Sequence, residues 1–267
     1  MIKIAVVNQK GGIGKTTTTV SLAGCLEHNF NKKVLVVDCD PSINSSKYLL
    51  TLDEDIPEDD IKLVSIPSLL HVINDKMPVG DVIRQVNQEV RGKLVKTKIF
   101  VLPAHKEMEE RCNFESDYDL RDALLPVEKD FDFCLFDCPP HLTDMAYEAM
   151  ACADYILVPA FADTDSLGGF DTLIDLVNTF RSSSINADLR ILGILFTNVP
   201  SKNALNKYFI ESYEDDELVF DTYIRSASVV GQARFFGKPL AYYKPSAPVT
   251  LDYKKATKEM LKRISKK

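Results

Sequence analysis

From Lys10 to Thr17 the chain reads Lys10-Gly11-Gly12-Ile13-Gly14-Lys15-Thr16-Thr17, placing three glycines among two lysines and two hydroxyls. Glycines so closely spaced let backbone N–H groups approach and encircle an anion, and a lysine beside them adds positive charge. The stretch follows a short apolar run, Ile2–Asn8, and opens an amphipathic helical pattern over Lys15–His28, whose positive end would face the same anion. Strand, glycine-rich turn and helix in that order form the context of a phosphate-binding P-loop. The chemistry assigns the cradle to Gly11, Gly12, Ile13 and Gly14, and the bridging of β- and γ-phosphates to Lys15. Thr16 then offers a hydroxyl to Mg²⁺, and Thr17 bonds toward the α-phosphate. An ordinary G-x-x-x-x-G-K-[ST] loop ending at Gly14-Lys15-Thr16 would begin with glycine where this chain has Gln9. The loop is therefore a variant, with glycines moved to Gly11 and Gly12 and a second lysine, Lys10.

Two further apolar runs end in acids. Val34–Asp38 leads into Cys39-Asp40-Pro41, and Phe133–Asp137 leads into Cys138-Pro139-Pro140. Open α/β sheets bind ligands at the carboxyl ends of their strands, so acids there can hold a metal ion or orient a water. Capping of local turns is the plain alternative for Asp38 and Asp40. The six cysteines include no CxxC pair, and the four histidines lack ligand spacing, so neither a disulfide framework nor a zinc site is supported.

The elements that must position these residues emerge from the alternation of short apolar runs with longer periodic ones. Strands are expected at Ile2–Asn8, Val34–Asp38, Ile99–Leu102, Phe133–Asp137, Tyr155–Pro159 and Arg190–Asn198. Helical patterns cover Lys15–His28, Ser68–Asn74, Val79–Gln88, Leu120–Leu125, Asp144–Cys152, Leu167–Arg181, Asn203–Ser212 and Val249–Ile264. This alternation predicts an α/β fold, a mostly parallel twisted sheet flanked by helices on both faces, in one domain spanning 1–267. The acidic runs Asp53–Asp60 and Glu214–Glu217 read as solvated loops.

The chain has 267 residues, a formal charge of −7, and 45% hydrophobic and 27% charged residues, which is ordinary globular composition. The apolar stretch Met150–Ala162 is broken by Asp154 and falls short of the roughly 20 residues of a membrane span. The N-terminus lacks the cleavage site of a secretory signal, so a cytoplasmic protein is expected.

Lys10 to Thr17 match every specified position of K-G-G-x-G-K-T-[ST], and the sequence therefore resembles the ParA/MinD family of deviant P-loop ATPases. The resemblance implies ATP and Mg²⁺ as ligands, and a homodimer in which Lys10 reaches across to phosphates held by the other subunit. It implies that Asp40 is the catalytic aspartate, with a share in the Mg²⁺ environment, and that Asp38 supports the loop or metal shell. Asp137, in a segment resembling Walker B, would hold Mg²⁺ through water. Asn198, at the end of Gly193–Asn198, would meet the adenine ring; it also precedes Val199-Pro200, where an asparagine suits a turn. One departure is Asp40-Pro41-Ser42, where ParA-like members often continue Asp-Pro-Gln.

The family divides by the surface its ATP-bound dimer recognises, DNA for ParA-like and membrane for MinD-like members. From Thr250 to Lys267 seven basic residues face two acidic ones, a net of +5 against −12 elsewhere. That end suits phosphate-backbone binding, which Arg225, Arg234 and Lys238 could extend. Leu251, Met260, Leu261 and Ile264 fit equally the buried stripe of a closing helix. A membrane anchor would need bulky apolar residues at the end, where this chain has Ser265-Lys266-Lys267. The expectation is a nucleoid-associated partition ATPase with a ParB-like partner. A MinD-like or other cargo-positioning ATPase is the alternative, and a P-loop kinase or ligase is a third.

Overall fold

Seven strands form one sheet in the order β3-β4-β2-β5-β1-β6-β7. They are β1 (Ile2–Val6), β2 (Val34–Asp38), β3 (Arg84–Val90), β4 (Lys93–Leu102), β5 (Phe133–Asp137), β6 (Tyr155–Ala160) and β7 (Arg190–Phe196). All pairings are parallel except β3 with β4. The computed structural model describes residues 1–51, 66–116, 119–163, 170–200 and 204–266.

The central strands are buried end to end, as strands covered on both faces must be. Alternate side chains feed two cores. Val34 and Val36 enter the one beneath the P-loop helix (Lys15–Phe30) and the C-terminal helix (Pro248–Ser265); Leu35 and Val37 enter the one beneath helices Asp144–Cys152 and Phe170–Ser182. The expected helix over Lys15–His28 is present, but it is not amphipathic. Every residue from Thr18 to Leu26 is buried, because the sheet covers one side of the helix and the C-terminal helix the other.

The segment Val79–Gln88 departs from the expected helix. It forms a four-residue helix, Val79–Val82, and then enters edge strand β3. The spacing of Val79, Val82 and Val86 satisfies a helical period. The deciding signal is the pair Arg91-Gly92, both at positive φ (53° and 74°), which closes a tight hairpin onto β4. Pairing with β3 also draws β4 out from the expected Ile99–Leu102 to Lys93–Leu102. Expected strand Arg190–Asn198 stops at Phe196, and short helices at Asn44–Leu50, Met108–Arg111, Val229–Phe235 and Leu240–Tyr243 carried no sequence signal. Glu214–Glu217 is an exposed turn, whereas Asp53–Asp60 lies outside the described residues.

Gly24 sits at the closest approach of the P-loop helix to the segment before Leu240–Tyr243; a Cβ there would lie 2.7 Å from Pro239 Cβ. Gly24→Ala should therefore lower stability by about 1–3 kcal/mol through overpacking. A lower urea midpoint with an unchanged slope is the expected observation.

Candidate nucleotide site

Three neighbouring strand ends build the site. In the register of the sheet, Asp137 of β5 pairs with Val6 of β1 on one side and with Asp38 of β2 on the other. The chain leaving β1 becomes the P-loop, so two acids and the loop share one edge. Gly12 and Gly14 take positive φ (72° and 91°), which glycine adopts without strain. Gly14 caps the P-loop helix without a side-chain bond, and the first turn carries no acid. The N–H groups of that turn and the positive helix end are thus left for an external anion.

Lys15 is buried, and its Nζ donates to the carbonyls of Asn8 (3.0 Å) and Lys10 (3.2 Å). Burial lowers its pKa, against the pull of Asp137 and Asp40. Asn8, which no sequence motif marks, holds the loop from beneath. Its side-chain amide donates to Pro159 O (2.8 Å), and its Oδ1 accepts from the Lys10 backbone (2.9 Å). Thr197 does the same from the end of β7, donating to Ile13 O at 2.9 Å. Sequence reasoning missed both, because an isolated Asn or Thr is identified only by its position beside the loop.

The carboxylates divide their work as their bonds dictate. Asp38 is fully buried and accepts from the Ser46 backbone (2.8 Å) and hydroxyl (2.6 Å), fixing the turn between β2 and helix Asn44–Leu50. Asp40 accepts from Ser42 N (2.8 Å). Asp137 is fully buried, its Oδ1 takes a long bond from Thr19 (3.4 Å), and its Oδ2 has no hydrogen-bond partner among the described residues. The hydroxyls of Thr16 and Ser45 face this carboxylate, and the Ser45 hydroxyl is itself unpartnered. Burial and the nearby Asp38 and Asp40 push Asp137 up to about 7, and burial pushes Asp38 up to about 6. An orphaned buried oxygen among acids and hydroxyls is a hard-oxygen donor set that fits Mg²⁺.

Behind the loop a cleft runs from Gly12, Gly14 and Thr17 to Phe161, Asn198 and Arg225. Asn198 is exposed at its rim with φ 52°, so it is also the turn residue its sequence context allowed. Lys10 points toward Asp163 (Nζ–Oδ1 3.9 Å) and the Phe161 ring (5.7 Å) of its own chain. The structure thus gathers Gly11 to Thr17, Asp40 and Asp137 at one strand edge, with Asn198 at the far end of the cleft.

The basic end is narrower than its composition suggested. Arg225 pairs with Asp252, Lys238 with Glu89, and Arg234 bonds Asn44, so none of the three simply extends a free basic patch. Arg263 turns inward onto Glu259, three carbonyls and the Phe220 ring. Exposed Lys254, Lys255, Lys258, Lys262 and Lys266 remain, with no ion pair among the described residues. Of the expected stripe, Met260 is buried and Leu261 and Ile264 pack partly buried against the core, whereas Leu251 is 44% exposed; Val249, Tyr253 and Ala256 complete the buried face. No helix among the described residues is long and apolar enough to cross a membrane.

Fold and loop together define a P-loop nucleotide-binding protein. A family model described as an AAA domain matches residues 1–191. The chain is 30% identical to the sporulation initiation inhibitor protein Soj of Bacillus subtilis, over 94% of this chain and 96% of Soj. It is 30% identical to the chromosome partitioning protein ParA of Caulobacter vibrioides, over 97% and 94% of the two chains. The chain belongs to the ParA/MinD family of deviant P-loop ATPases. Similar folds include a Cyanothece McdA–ATP complex (TM-score 0.79, 23% identity, covering 98% of this chain and 96% of that one). They also include a Mycobacterium smegmatis cobyrinic acid a,c-diamide synthase with ADP and magnesium (TM-score 0.77, 23% identity, covering 100% and 97%). Folds this alike serve different reactions, so the fold alone does not assign one.

A carboxylate whose folded pKa is raised binds its proton more tightly in the folded state, so its contribution to stability is lost as pH rises from the unfolded value toward the folded one. Without Mg²⁺ or nucleotide, stability should therefore fall between about pH 4 and 7, and Asp137→Asn should flatten that fall. At about pH 8 thermal melts should rank Asp137→Asn above the parent protein, and Mg²⁺ with ATP should reverse the order.

Proposed function

We propose that the protein is a partition-type ATPase that binds and hydrolyses ATP, dimerises in the ATP state, and in that state binds DNA without sequence preference. One observation carries the reading beyond the family. The C-terminal helix turns its buried face onto the P-loop helix, where Tyr253 OH meets Thr18 Oγ1 at 3.4 Å, and turns its four lysines, Lys254, Lys255, Lys258 and Lys262, outward. A basic surface resting directly on the helix that senses phosphate can register the nucleotide state.

In this reading the N–H groups from Gly11 to Gly14 and the first helical turn hold the phosphates, and Lys15 leaves its two carbonyl partners for the β- and γ-oxygens. Thr16, Asp137 and Asp40 are the residues that would hold Mg²⁺, which supplies charge neutralisation at the transferring phosphate. Asp40, the least buried of the three carboxylates, orients the attacking water. Lys10 exchanges Asp163 for phosphates held by a second copy, adding positive charge where the transition state develops negative charge. Asn198 meets the base. A ParB-like partner accelerates turnover and releases the dimer from DNA, because alignment of water and Lys10 is completed only in the dimer.

Binding to nonspecific duplex DNA with ATP, ADP and no nucleotide tests this, with Asp40→Ala holding the ATP state. Salt-sensitive binding with ATP alone is expected, and a triple Lys254→Glu, Lys258→Glu, Lys262→Glu variant should bind at least tenfold more weakly with a salt slope smaller by about 2–3. Absence of DNA binding in every state, with binding to anionic liposomes, would overturn it. Lys10→Ala should retain ATP binding but lose dimerisation, measured by light scattering; normal dimers and normal turnover would refute the role in trans.

A further inference from the structure

The far end of the nucleotide cleft holds a charged group that the phosphate chemistry does not use. Ile224–Ser226 runs beside the end of β7: Ile224 N donates to Phe196 O (2.8 Å), Val199 N to Ile224 O (2.9 Å) and Ser226 N to Val199 O (2.8 Å). This pairing sets Arg225 next to Asn198 at the mouth of the cleft. The Arg225 guanidinium is held by a fork on Asp252, with Nε to Oδ2 at 2.6 Å and Nη2 to Oδ1 at 2.9 Å. Asp252 also accepts from the Arg225 backbone (3.3 Å), and its side chain is only 6% exposed against 44% for Arg225. One edge of the guanidinium is thus spent on a buried acid, and its plane is fixed while still open to the cleft.

A fixed, partly dry guanidinium plane recognises a π-face by stacking, or a ring nitrogen or hydroxyl by donating a hydrogen bond. Phosphate would instead draw an unpaired arginine. We propose that Arg225 is a base-end determinant of the nucleotide site, contacting the nucleobase or ribose of ATP, and that Asp252 is its positioning residue. This rests on the nucleotide reading above and deepens it. Asp252 belongs to the same helix as the outward lysines and precedes Tyr253, which touches Thr18 of the P-loop helix. The C-terminal helix therefore contributes to the wall of the nucleotide cleft as well as to the basic surface.

The test compares two ligands that share the phosphate chain, ATP and inorganic tripolyphosphate, by calorimetric titration with Mg²⁺ present. Arg225→Ala should weaken ATP about tenfold and leave tripolyphosphate unchanged. Arg225→Lys, which keeps the charge but loses the planar fork, should not restore ATP affinity. Asp252→Asn should weaken ATP by a smaller factor, again sparing tripolyphosphate, and thermal melts of each variant establish that it is folded. Lys15→Ala should lose both ligands. Two results would overturn the proposal while leaving the nucleotide reading intact: unchanged ATP affinity in Arg225→Ala, or equal losses for ATP and tripolyphosphate. Failure of the parent protein to bind either ligand would instead remove the nucleotide reading and this inference with it.

Discussion

Asp137 and Lys15 impose the constraint on which the site depends. Both are buried at the ends of adjoining elements, Asp137 with one oxygen unpaired and Lys15 satisfied only by neutral carbonyls. Burial raises the acid and lowers the base, so each is held toward its neutral form. Removing charges from water is expensive unless they are matched, and the site leaves them poorly matched. A polyanion with a divalent cation supplies what each lacks: oxygens for the ammonium and a metal for the carboxylate.

The surrounding architecture keeps that site from relaxing. Register pairing of β1, β5 and β2 fixes where the loop and two acids emerge. Asn8 and Thr197 tie the loop's backbone from below and from the side, and Ser46 occupies both an oxygen of Asp38 and, through its own hydroxyl, Ala104 N of the segment after β4 (3.0 Å). Asp137 nonetheless keeps one buried oxygen without a hydrogen-bond partner among the described residues. Preorganisation of this kind makes charge stabilisation effective when phosphate is present.

The C-terminal helix links chemistry to surface. Its acids are consumed internally, Asp252 by Arg225 and Glu259 by Arg263, while its lysines face out. The same helix therefore closes one core, lines the cleft and presents positive charge. Its position on the P-loop helix, rather than its composition, makes that charge relevant to nucleotide.

The sequence by itself determined the loop, the strands that end in acids, and the α/β class, because each rests on local chemistry: glycine spacing, apolar runs and the residues that close them. Order and spacing alone placed Gly11 to Thr17, Asp40 and Asp137 at one sheet edge. Edge strand β3 escaped because Val79, Val82 and Val86 fit a helix until pairing with β4 is considered, and pairing joins residues through a register that local spacing does not encode. Asn8 and Thr197 escaped because single polar residues gain meaning only from the backbone groups they reach. Composition also overstated the basic patch, since Arg225 and Arg263 find partners far away in sequence. Tertiary structure decided which charges are used up inside and which face out, because ion pairing depends on distance in space.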